Sequence, residues 1–421
     1  MKNKESLRIL HTSDWHLGRV LYGRKRYEEF DRFLQWLVVT IKEEEIDLLL
    51  IAGDIFDTTT PSNLAQRLYY EFLSRVFKET DCHNVVITAG NHDSPSLLET
   101  SKELLKNFNI QVVGSISEDI HEEIFVLPDK NSGEPAVIVC AVPYLRDKDI
   151  RVAKEGEDFV EKDRQQIEGI RQHYADVASL AEKIKTDVEE RFSKSIPVIA
   201  MGHLFVEGGS TVEGDGVREL YVGSLGQVGC DIFSDIFNYV ALGHLHVPQK
   251  VHHSEHIRYS GSPLPMGFGE ASQVKQVCIV EFSSKGMDVR TLDIPIFRKL
   301  RSISGNWFSI VESVAQLKKM DEPIWLEINF VSDEVRGNLV NDLKELVKGS
   351  KLEIISVKDV QSLQRLQNQI SGEENLEDLD PQLVFSRCLE DKNIPLSQRE
   401  ELQSTYNEVL QALADQDLLA D

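Results

Sequence analysis

Five apolar segments of the 421-residue chain are each followed by side chains that can bind metal ions. These side chains are carboxylates, an amide and imidazoles: Asp14 and His16 after residues 7–12, Asp54 after 48–52, Asn91 after 85–89, His203 after 198–201, and His244 and His246 after 239–242. Mixed oxygen and nitrogen donors suit a borderline-to-hard divalent ion such as manganese. Two ions about 3.5–4 Å apart would clamp the attacking and leaving oxygens of a phosphoryl displacement. Each motif alone is weak, but five in order predict a metal site.

The apolar segments are typical of buried strands, and amphipathic helices are predicted between them, over residues 30–41 and 65–76. Strands that alternate with helices predict an α/β sheet with helices on both faces. In such a sheet ligands bind at the carboxyl ends of the strands, so segments far apart in sequence would deliver their side chains to one crevice. Glycines at 53, 90, 202 and 243 would permit the close backbone approach that this site needs.

The pattern changes along the chain and predicts four parts. Residues 1–293 form the first unit, and residues 294–360 form a small α+β domain with helices over 309–319 and 333–348 and strands over 325–330 and 352–357. An acidic linker follows over 361–380, and a helix pair over 381–421. Two short helices have too little core to fold alone. We therefore expect them to dock on another protein, or alternatively on the parent domain.

The formal net charge of −24 argues, by itself, against binding a polyanion. Much of that excess lies in residues 371–421, and bound divalent ions would reverse the local field at a carboxylate site. The five cysteines are scattered and form no Cys-x-x-Cys pair, which favours a reducing compartment. No apolar run is long enough to span a bilayer, and no secretory signal is recognisable. We therefore expect a cytoplasmic protein without membrane contact.

The metal-binding motifs together resemble the signature of the calcineurin-like metallophosphoesterases: Asp14-x-His16, Gly53-Asp54, Gly90-Asn-His-Asp93, His203 and Gly243-His-x-His246. More narrowly, residues 12–18, 53–57, 90–95 and 259–265 are similar to the SbcD family of bacterial nuclease subunits. The resemblance implies a two-sheet sandwich flanked by helices, with residues 294–360 as a DNA-contacting capping domain. It also implies a homodimer within a heterotetramer, in which residues 381–421 bind the coiled coil of an SbcC-type ABC ATPase.

The resemblance also assigns roles to individual residues. One ion would be held by Asp14, His16, Asp54 and His246, and the second by Asp54, Asn91, His203 and His244. The ions would be Mn²⁺, with Mg²⁺ as the alternative. His92 resembles the catalytic histidine that is not a ligand and that stabilises phosphate charge or protonates the leaving oxygen. Asp57 and Asp93 would orient His92 or a ligand imidazole, although Asp57 stands where other branches have histidine and could simply cap a turn.

The implied activity is manganese-dependent cleavage of DNA, as a 3′–5′ exonuclease on double-strand ends and an endonuclease on hairpins and single strands, in DNA repair, recombination and replication. The basic residues Arg19, Arg24, Lys25 and Arg26 could hold backbone phosphates, or they could form a solvated loop.

One alternative function is a phosphodiesterase for small or cyclic nucleotides. Another is a non-catalytic scaffold, whose expected mark is eroded ligands, and no ligand of the motif is missing. Protein phosphatases of this superfamily have an arginine directly after the aspartate that corresponds to Asp57. In this chain Thr58 follows Asp57, so a protein phosphatase is disfavoured.

Overall fold

The structure is a computed structural model that describes residues 6–151, 159–210, 227–332 and 338–359, with residues 399, 403 and 406 beyond them. Its strands are β1 (Leu7–Thr12), β2 (Val20–Leu21), β3 (Arg24–Lys25), β4 (Leu48–Ala52), β5 (Asn84–Thr88), β6 (Ile110–Val113), β7 (Ile124–Pro128), β8 (Pro135–Ala141), β9 (Val198–His203), β10 (Tyr239–Gly243), β11 (Gln249–Lys250), β12 (Ile257–Tyr259), β13 (Gln276–Ser283), β14 (Gly286–Asp293), β15 (Lys299–Gly305), β16 (Ile324–Phe330) and β17 (Leu352–Asp359). Its α-helices are α1 (Tyr27–Glu43), α2 (Asn63–Glu79), α3 (Pro95–Glu99), α4 (Lys102–Lys106), α5 (Asp147–Ile150), α6 (Phe159–Phe192), α7 (Trp307–Lys318) and α8 (Leu339–Val347).

Two six-stranded sheets pack face to face in the first unit. Their strand orders are β14-β13-β1-β4-β5-β6 and β11-β12-β10-β9-β8-β7. Leu48 and Leu50 of β4 point into the core between the sheets, whereas Leu49 and Ile51 point outward to helices α1 and α2. A strand buried on both faces is a continuous apolar run, which is what the sequence shows. Helix α6 covers the outer face of the second sheet. The predicted α/β class and two-sheet sandwich are confirmed. The expectation of helices on both faces of a sheet is wrong, because the inner face of each sheet packs on the other sheet and only its outer face carries helices.

The strands that precede the predicted ligands are parallel neighbours. In the first sheet β4 lies between β1 and β5, parallel to both, and in the second sheet β9 is parallel to β10. Their carboxyl ends therefore meet at one edge of the sandwich. This edge receives residues from five separate segments of the chain.

The small unit has a three-stranded parallel sheet in the order β15-β16-β17, and helices α7 and α8 pack on one of its faces. The two predicted strands match β16 and β17. The first predicted helix corresponds to α7, and the second corresponds to α8, which begins at Leu339 after the turn residue Asn338. The predicted first residues of that helix, 333–337, lie outside the described ranges. The predicted linker over 361–380 and nearly all of the predicted helix pair over 381–421 also lie outside the described residues.

The opposite face of the small sheet rests on the β2–β3 ribbon, which directly follows His16. Leu21 of the ribbon packs with Phe268, Leu300 and Trp325 in a small buried cluster. The Tyr22 hydroxyl donates to Glu327 at 3.3 Å. The ribbon thus joins the small unit to the edge of the sandwich where the predicted ligands lie. Among the described residues no helix is long and apolar enough to cross a membrane.

Candidate metal centre

The loops that leave β1, β4 and β10 have unusual backbone conformations at the predicted ligands. Asp14, His16, Asp54 and His244 have φ values of 51°, 48°, 52° and 100°. Left-handed backbone at such residues costs energy and persists only where the surroundings enforce it. Here the loops enforce each other, because the amides of Asp14 and His16 donate to the carbonyls of Gly53 and Asp54 at 3.0 and 2.9 Å.

Two glycines allow the sheets to approach each other at this edge. A Cβ on Gly243 would lie 1.8 Å from the carbonyl oxygen of Ala52 in the other sheet. A Cβ on Gly53, whose φ is +83°, would lie 2.2 Å from Nδ1 of His203. This nitrogen instead donates to the Ala52 carbonyl at 3.0 Å. The ring of His203 is therefore held with Nε2 directed into the cluster.

Asp54 lies at the centre of the cluster and is 2% exposed. Its Oδ2 lies 3.4 Å from Nε2 of His16 and 3.3 Å from Nε2 of His203. Burial would raise the pKa of Asp54, but His203 and His16 outweigh burial and hold the pKa well below its usual range. Burial would likewise lower the pKa of His203, yet the Asp54 charge raises it to about 9. The carboxylate thus faces imidazoles from both sheets, as a ligand shared by two ions would.

Asp14, His16 and His246 form the first group of donors, with ligand atoms within 4.8 Å of one another. The Nε2 atoms of His16 and His246 lie 3.1 Å apart. At most one proton fits between these nitrogens, so at least one lone pair faces the group. Burial lowers the pKa of His16, which favours the neutral ring that binds metals.

Asp14, Asp54 and His203 form a second group within the same 4.8 Å limit. Asn91 adds an amide oxygen, which lies 3.1 Å from both His203 Nε2 and His244 Nδ1. Burial, reinforced by His203, lowers the pKa of His244 to about 3, so this imidazole is neutral. Both groups are buried and contain Asp14, and Asp54 of the second group also faces His16 of the first. They are compatible with a dinuclear metal site.

His92 lies partly exposed beside the first group, with its ring centroid 4.9 Å from that of His16. Its Nδ1 lies 2.9 Å from the carbonyl oxygen of Asp57. A carbonyl only accepts hydrogen bonds, so Nδ1 carries a proton. The other nitrogen, Nε2, is unprotonated in the neutral ring and becomes a donor only in the imidazolium form.

The Asp57 side chain contacts a predicted ligand. Its Oδ1 lies 3.2 Å from Nδ1 of His16 and accepts a hydrogen bond from Arg19 at 3.0 Å. Burial would raise the pKa of Asp57, but His16 and Arg19 outweigh burial and lower the pKa to about 2. A carboxylate of this kind fixes the orientation of a ligand imidazole.

Asp93 acts on the backbone instead. Its carboxylate accepts hydrogen bonds from the amides of Ile55, Phe56 and Gly90 at 2.9–3.1 Å. These amides flank Asp54 and Asn91, so Asp93 ties the second and third ligand loops together. Burial and the Asp54 charge raise the pKa of Asp93 to about 6 against the effect of these donors.

Comparison with known proteins identifies the family. Residues 7–248 match the family described as calcineurin-like phosphoesterase, and residues 296–393 match the Type 5 capsule protein repressor C-terminal domain. The chain is 33% identical over 415 residues to the SbcD subunit of the nuclease SbcCD of Escherichia coli K12, a match that covers 97% of this chain and 99% of the relative. The chain belongs to the SbcD family of calcineurin-like phosphoesterases.

Two further members of the SbcD family match shorter parts of the chain. The SbcD protein of Bacillus subtilis is 37% identical over 280 residues, 65% of this chain and 66% of the relative. The protein of the same name from Rhodobacter capsulatus is 32% identical over 296 residues, 69% of each chain. The predicted family, fold and enzyme class, a metal-dependent phosphoesterase, are confirmed.

The basic residues at positions 19 and 24–26, which the sequence analysis predicts to contact DNA, do not all lie at the surface. Arg26 is 1% exposed and donates to Glu29 and to the carbonyl of Pro265, so the DNA-contact prediction is corrected for this residue. The structure pairs Arg19 with Asp57 beside His16 and pairs Arg24 with Glu353 of the small unit. Arg24 and Lys25 have exposed side chains. They remain candidates for contact with phosphates.

Two residues near the site are absent from the sequence prediction. Glu270 lies with Oε1 3.5 Å from Nδ1 of His246, and Lys275 donates to the His246 carbonyl at 3.0 Å. Burial would raise the pKa of Glu270, but His246 and Lys275 outweigh burial and lower the pKa. Both residues lie in a loop after β12, where the only sequence signal is a pair of charged residues near a stretch rich in glycine and proline.

Proposed function

We propose that this chain is the nuclease subunit of an SbcCD-type complex and hydrolyses DNA phosphodiester bonds with two Mn²⁺ ions. The observation that carries the proposal is the pair of buried donor groups around Asp54 in a chain similar along 97% of its length to a nuclease subunit. The activity is exonucleolytic, 3′ to 5′, on double-strand ends and endonucleolytic on hairpins and single strands. It serves DNA repair, recombination and replication in the cytoplasm.

The proposed ligands divide into two sets that share Asp54: Asp14, His16, Asp54 and His246 for one ion, and Asp54, Asn91, His203 and His244 for the other. Their mixture of carboxylate, amide and imidazole donors favours Mn²⁺ over Mg²⁺, which prefers oxygen ligands and retains water. When bound, the ions supply Lewis acidity that activates water and offsets the charge of the phosphate.

His92 supplies the proton chemistry of the reaction. The Asp57 carbonyl accepts from Nδ1 and leaves Nε2 as the nitrogen that faces the substrate. An imidazolium at this position stabilises charge on the phosphate oxygens or protonates the departing sugar oxygen.

DNA is held through its backbone rather than through its bases. Residues 294–360 serve as the capping domain, and Arg24 and Lys25 of the ribbon contribute positive charge where this domain meets the sandwich. Backbone contacts position a duplex without reading its sequence, so the substrate preference follows DNA ends and shape.

The proposed assembly is a homodimer that binds an SbcC-type ABC ATPase through residues 381–421. An exposed apolar patch supports the dimer: Tyr70, Phe77, Leu104 and Phe108 are 37–64% exposed on α2, on α4 and just after α4. Phe77 and Phe108 stack edge to face with centroids 4.9 Å apart. Such a patch is typical of an interface. Light scattering should give a dimer for the wild type and a monomer for Phe77→Glu.

A direct assay separates this function from its nearest alternative. Purified protein with Mn²⁺ is offered hairpin-ended DNA and, separately, cyclic and linear mononucleotide diesters. Cleavage of DNA with little turnover of the small substrates supports the nuclease. Selective turnover of the small substrates would support the phosphodiesterase alternative and reject the proposal. Co-purification with the ATPase, followed by the assay with and without ATP, tests the complex.

A further inference from the structure

Glu270 and Lys275 form an ion pair inside the protein, 0% and 5% exposed. Removing two charges from water costs several kcal/mol per ion, and an apolar pair of similar size is often as stable. An ion pair in this position therefore contributes little stability that leucine and methionine could not supply. Its contacts point to another role.

Lys275 holds the backbone at His246. Its three N–H groups are shared among four acceptors: the His246 carbonyl, the Ser262 hydroxyl and the Gln273 amide oxygen, each 3.0 Å from Nζ, and the Glu270 carboxylate. The amide of Ser262 donates to the same His246 carbonyl at 3.1 Å. The main chain at His246 is thus fixed by two donors from the loop that follows β12.

Glu270 lies beside the imidazole ring of His246. Its Oε2 is occupied by Lys275 and by the amide of Met266 at 3.1 Å. Its Oε1 has no hydrogen-bond partner among the described residues and lies 3.5 Å from Nδ1 of His246. A carboxylate at this nitrogen favours a proton on Nδ1, which leaves the lone pair on Nε2. That Nε2 is the atom that lies 3.1 Å from His16.

We propose that Glu270 and Lys275 are positioning residues for His246, with Lys275 fixing its backbone and Glu270 fixing its ring and tautomer for metal binding. The proposal rests on the metal site of the proposed function but not on the nature of the substrate. Asp57 provides the equivalent carboxylate at Nδ1 of His16, so both imidazoles of the first group would have an outer carboxylate partner.

The test measures Mn²⁺ binding by isothermal titration calorimetry on the full chain, with no substrate present. Glu270→Gln keeps the size of the side chain but cannot accept from Nδ1–H while also accepting from Lys275 through the other atom. We expect one of the two ions to bind ten- to a hundredfold more weakly. The matched control is Glu123→Gln. Glu123 is also fully buried, and its carboxylate lies 2.9 Å from the imidazole of His173, a residue of helix α6. Its Mn²⁺ affinity should equal that of the wild type.

A double-mutant cycle separates positioning from general damage. If Glu270 acts through His246, Glu270→Gln should weaken Mn²⁺ binding in the wild type but have no further effect in a His246→Ala background. Equal losses in both backgrounds, or wild-type affinity in a folded Glu270→Gln protein, would overturn the proposal. Should circular dichroism show that Glu270→Gln is unfolded, the double variant Glu270→Leu/Lys275→Met replaces it, with the same expected loss of affinity.

The substrate assay distinguishes this inference from the nuclease proposal. A wild-type protein that binds two Mn²⁺ ions but leaves DNA intact would refute the nuclease, whereas the effect of Glu270→Gln on metal affinity would still decide the role of Glu270. A wild-type protein that cuts DNA, with unchanged Mn²⁺ affinity in folded Glu270→Gln, would refute only the positioning role.

Discussion

The backbone amide of His92 donates a hydrogen bond to Oδ1 of Asp54 at 2.9 Å, while Oδ2 of the same carboxylate faces the imidazoles of His16 and His203. The Asp54 carboxylate therefore contacts both the imidazoles of the proposed metal site and the backbone of the histidine proposed for catalysis. The ring of His92 is fixed separately, by the Asp57 carbonyl at Nδ1. Its side chain can consequently be removed without removing a proposed ligand.

Replacing His92 by alanine should lower DNA cleavage by about 10²–10⁴-fold, the usual contribution of a general acid or base. Mn²⁺ affinity should stay within about twofold, because the amide that contacts Asp54 is retained. Single-turnover cleavage and calorimetry measure the two quantities. His256→Ala, at an exposed histidine in the loop before β12, is the control and should cleave normally. Undiminished cleavage by His92→Ala would remove this residue from the mechanism.

Substituting Gly53 by alanine should abolish binding of at least one ion. The added methyl group would lie 2.2 Å from Nδ1 of His203 and 2.9 Å from the Cα of Gly90, so the ligand loops must separate. Gly133→Ala is a matched control, because its φ of +71° imposes the same backbone strain while its Cβ meets no atom within 4 Å. The control should lose about 1 kcal/mol of stability and keep its metal affinity. Similar losses of affinity in both variants would show that strain alone is responsible.

Adding Mn²⁺ to the metal-free protein should raise its melting temperature. An ion at a hundred times its dissociation constant stabilises the folded state by about 2.7 kcal/mol, roughly 5 °C for a domain of this size. Asp54→Asn removes the carboxylate proposed to be shared, so its shift on adding Mn²⁺ should be much smaller. Differential scanning calorimetry with and without EDTA makes the comparison. An equal shift in the variant would argue against a shared ligand.

The buried His11 should make folding stability depend on pH. Its Nε2 contacts the Leu242 carbonyl at 3.2 Å and its Nδ1 the Tyr239 hydroxyl at 3.0 Å, and burial lowers its pKa from 6.5 to about 3. Below pH 6.5 the unfolded chain binds a proton that the folded protein excludes. Stability is therefore lost as the pH falls from 6.5 toward 3, by about 1.4 kcal/mol per unit.

His11→Gln offers an amide that can donate to one partner and accept from the other, but it does not titrate. Between pH 7.5 and pH 5 the wild type should lose about 2 kcal/mol more than this variant. Urea unfolding of the metal-free proteins at both pH values provides the measurement. Equal losses of folding stability in the two proteins would show that the proton binds to a group other than His11.

The strand-end pattern in the sequence was enough to predict where Asp14, Asp54 and His203 meet, because parallel strands end at a common edge. It could not predict that Arg26 is buried against Glu29, since a run of basic residues is also typical of an exposed loop. Glu270 lies 24 positions after His246 and reaches it only through the path of the loop after β12. Contacts of this kind depend on tertiary structure and leave no periodic pattern.

The pairing of β1 with β13 has a consequence for synthesis of the protein. Arg8 lies opposite Glu281, 273 positions later in the chain. A ribosome that adds about 5–20 residues per second needs on the order of tens of seconds to cover that distance. Throughout this interval the strand that leads to Asp14 and His16 has an unpaired edge, which is a template for aggregation. Shielding of the nascent chain should matter until the ribosome has passed residue 283.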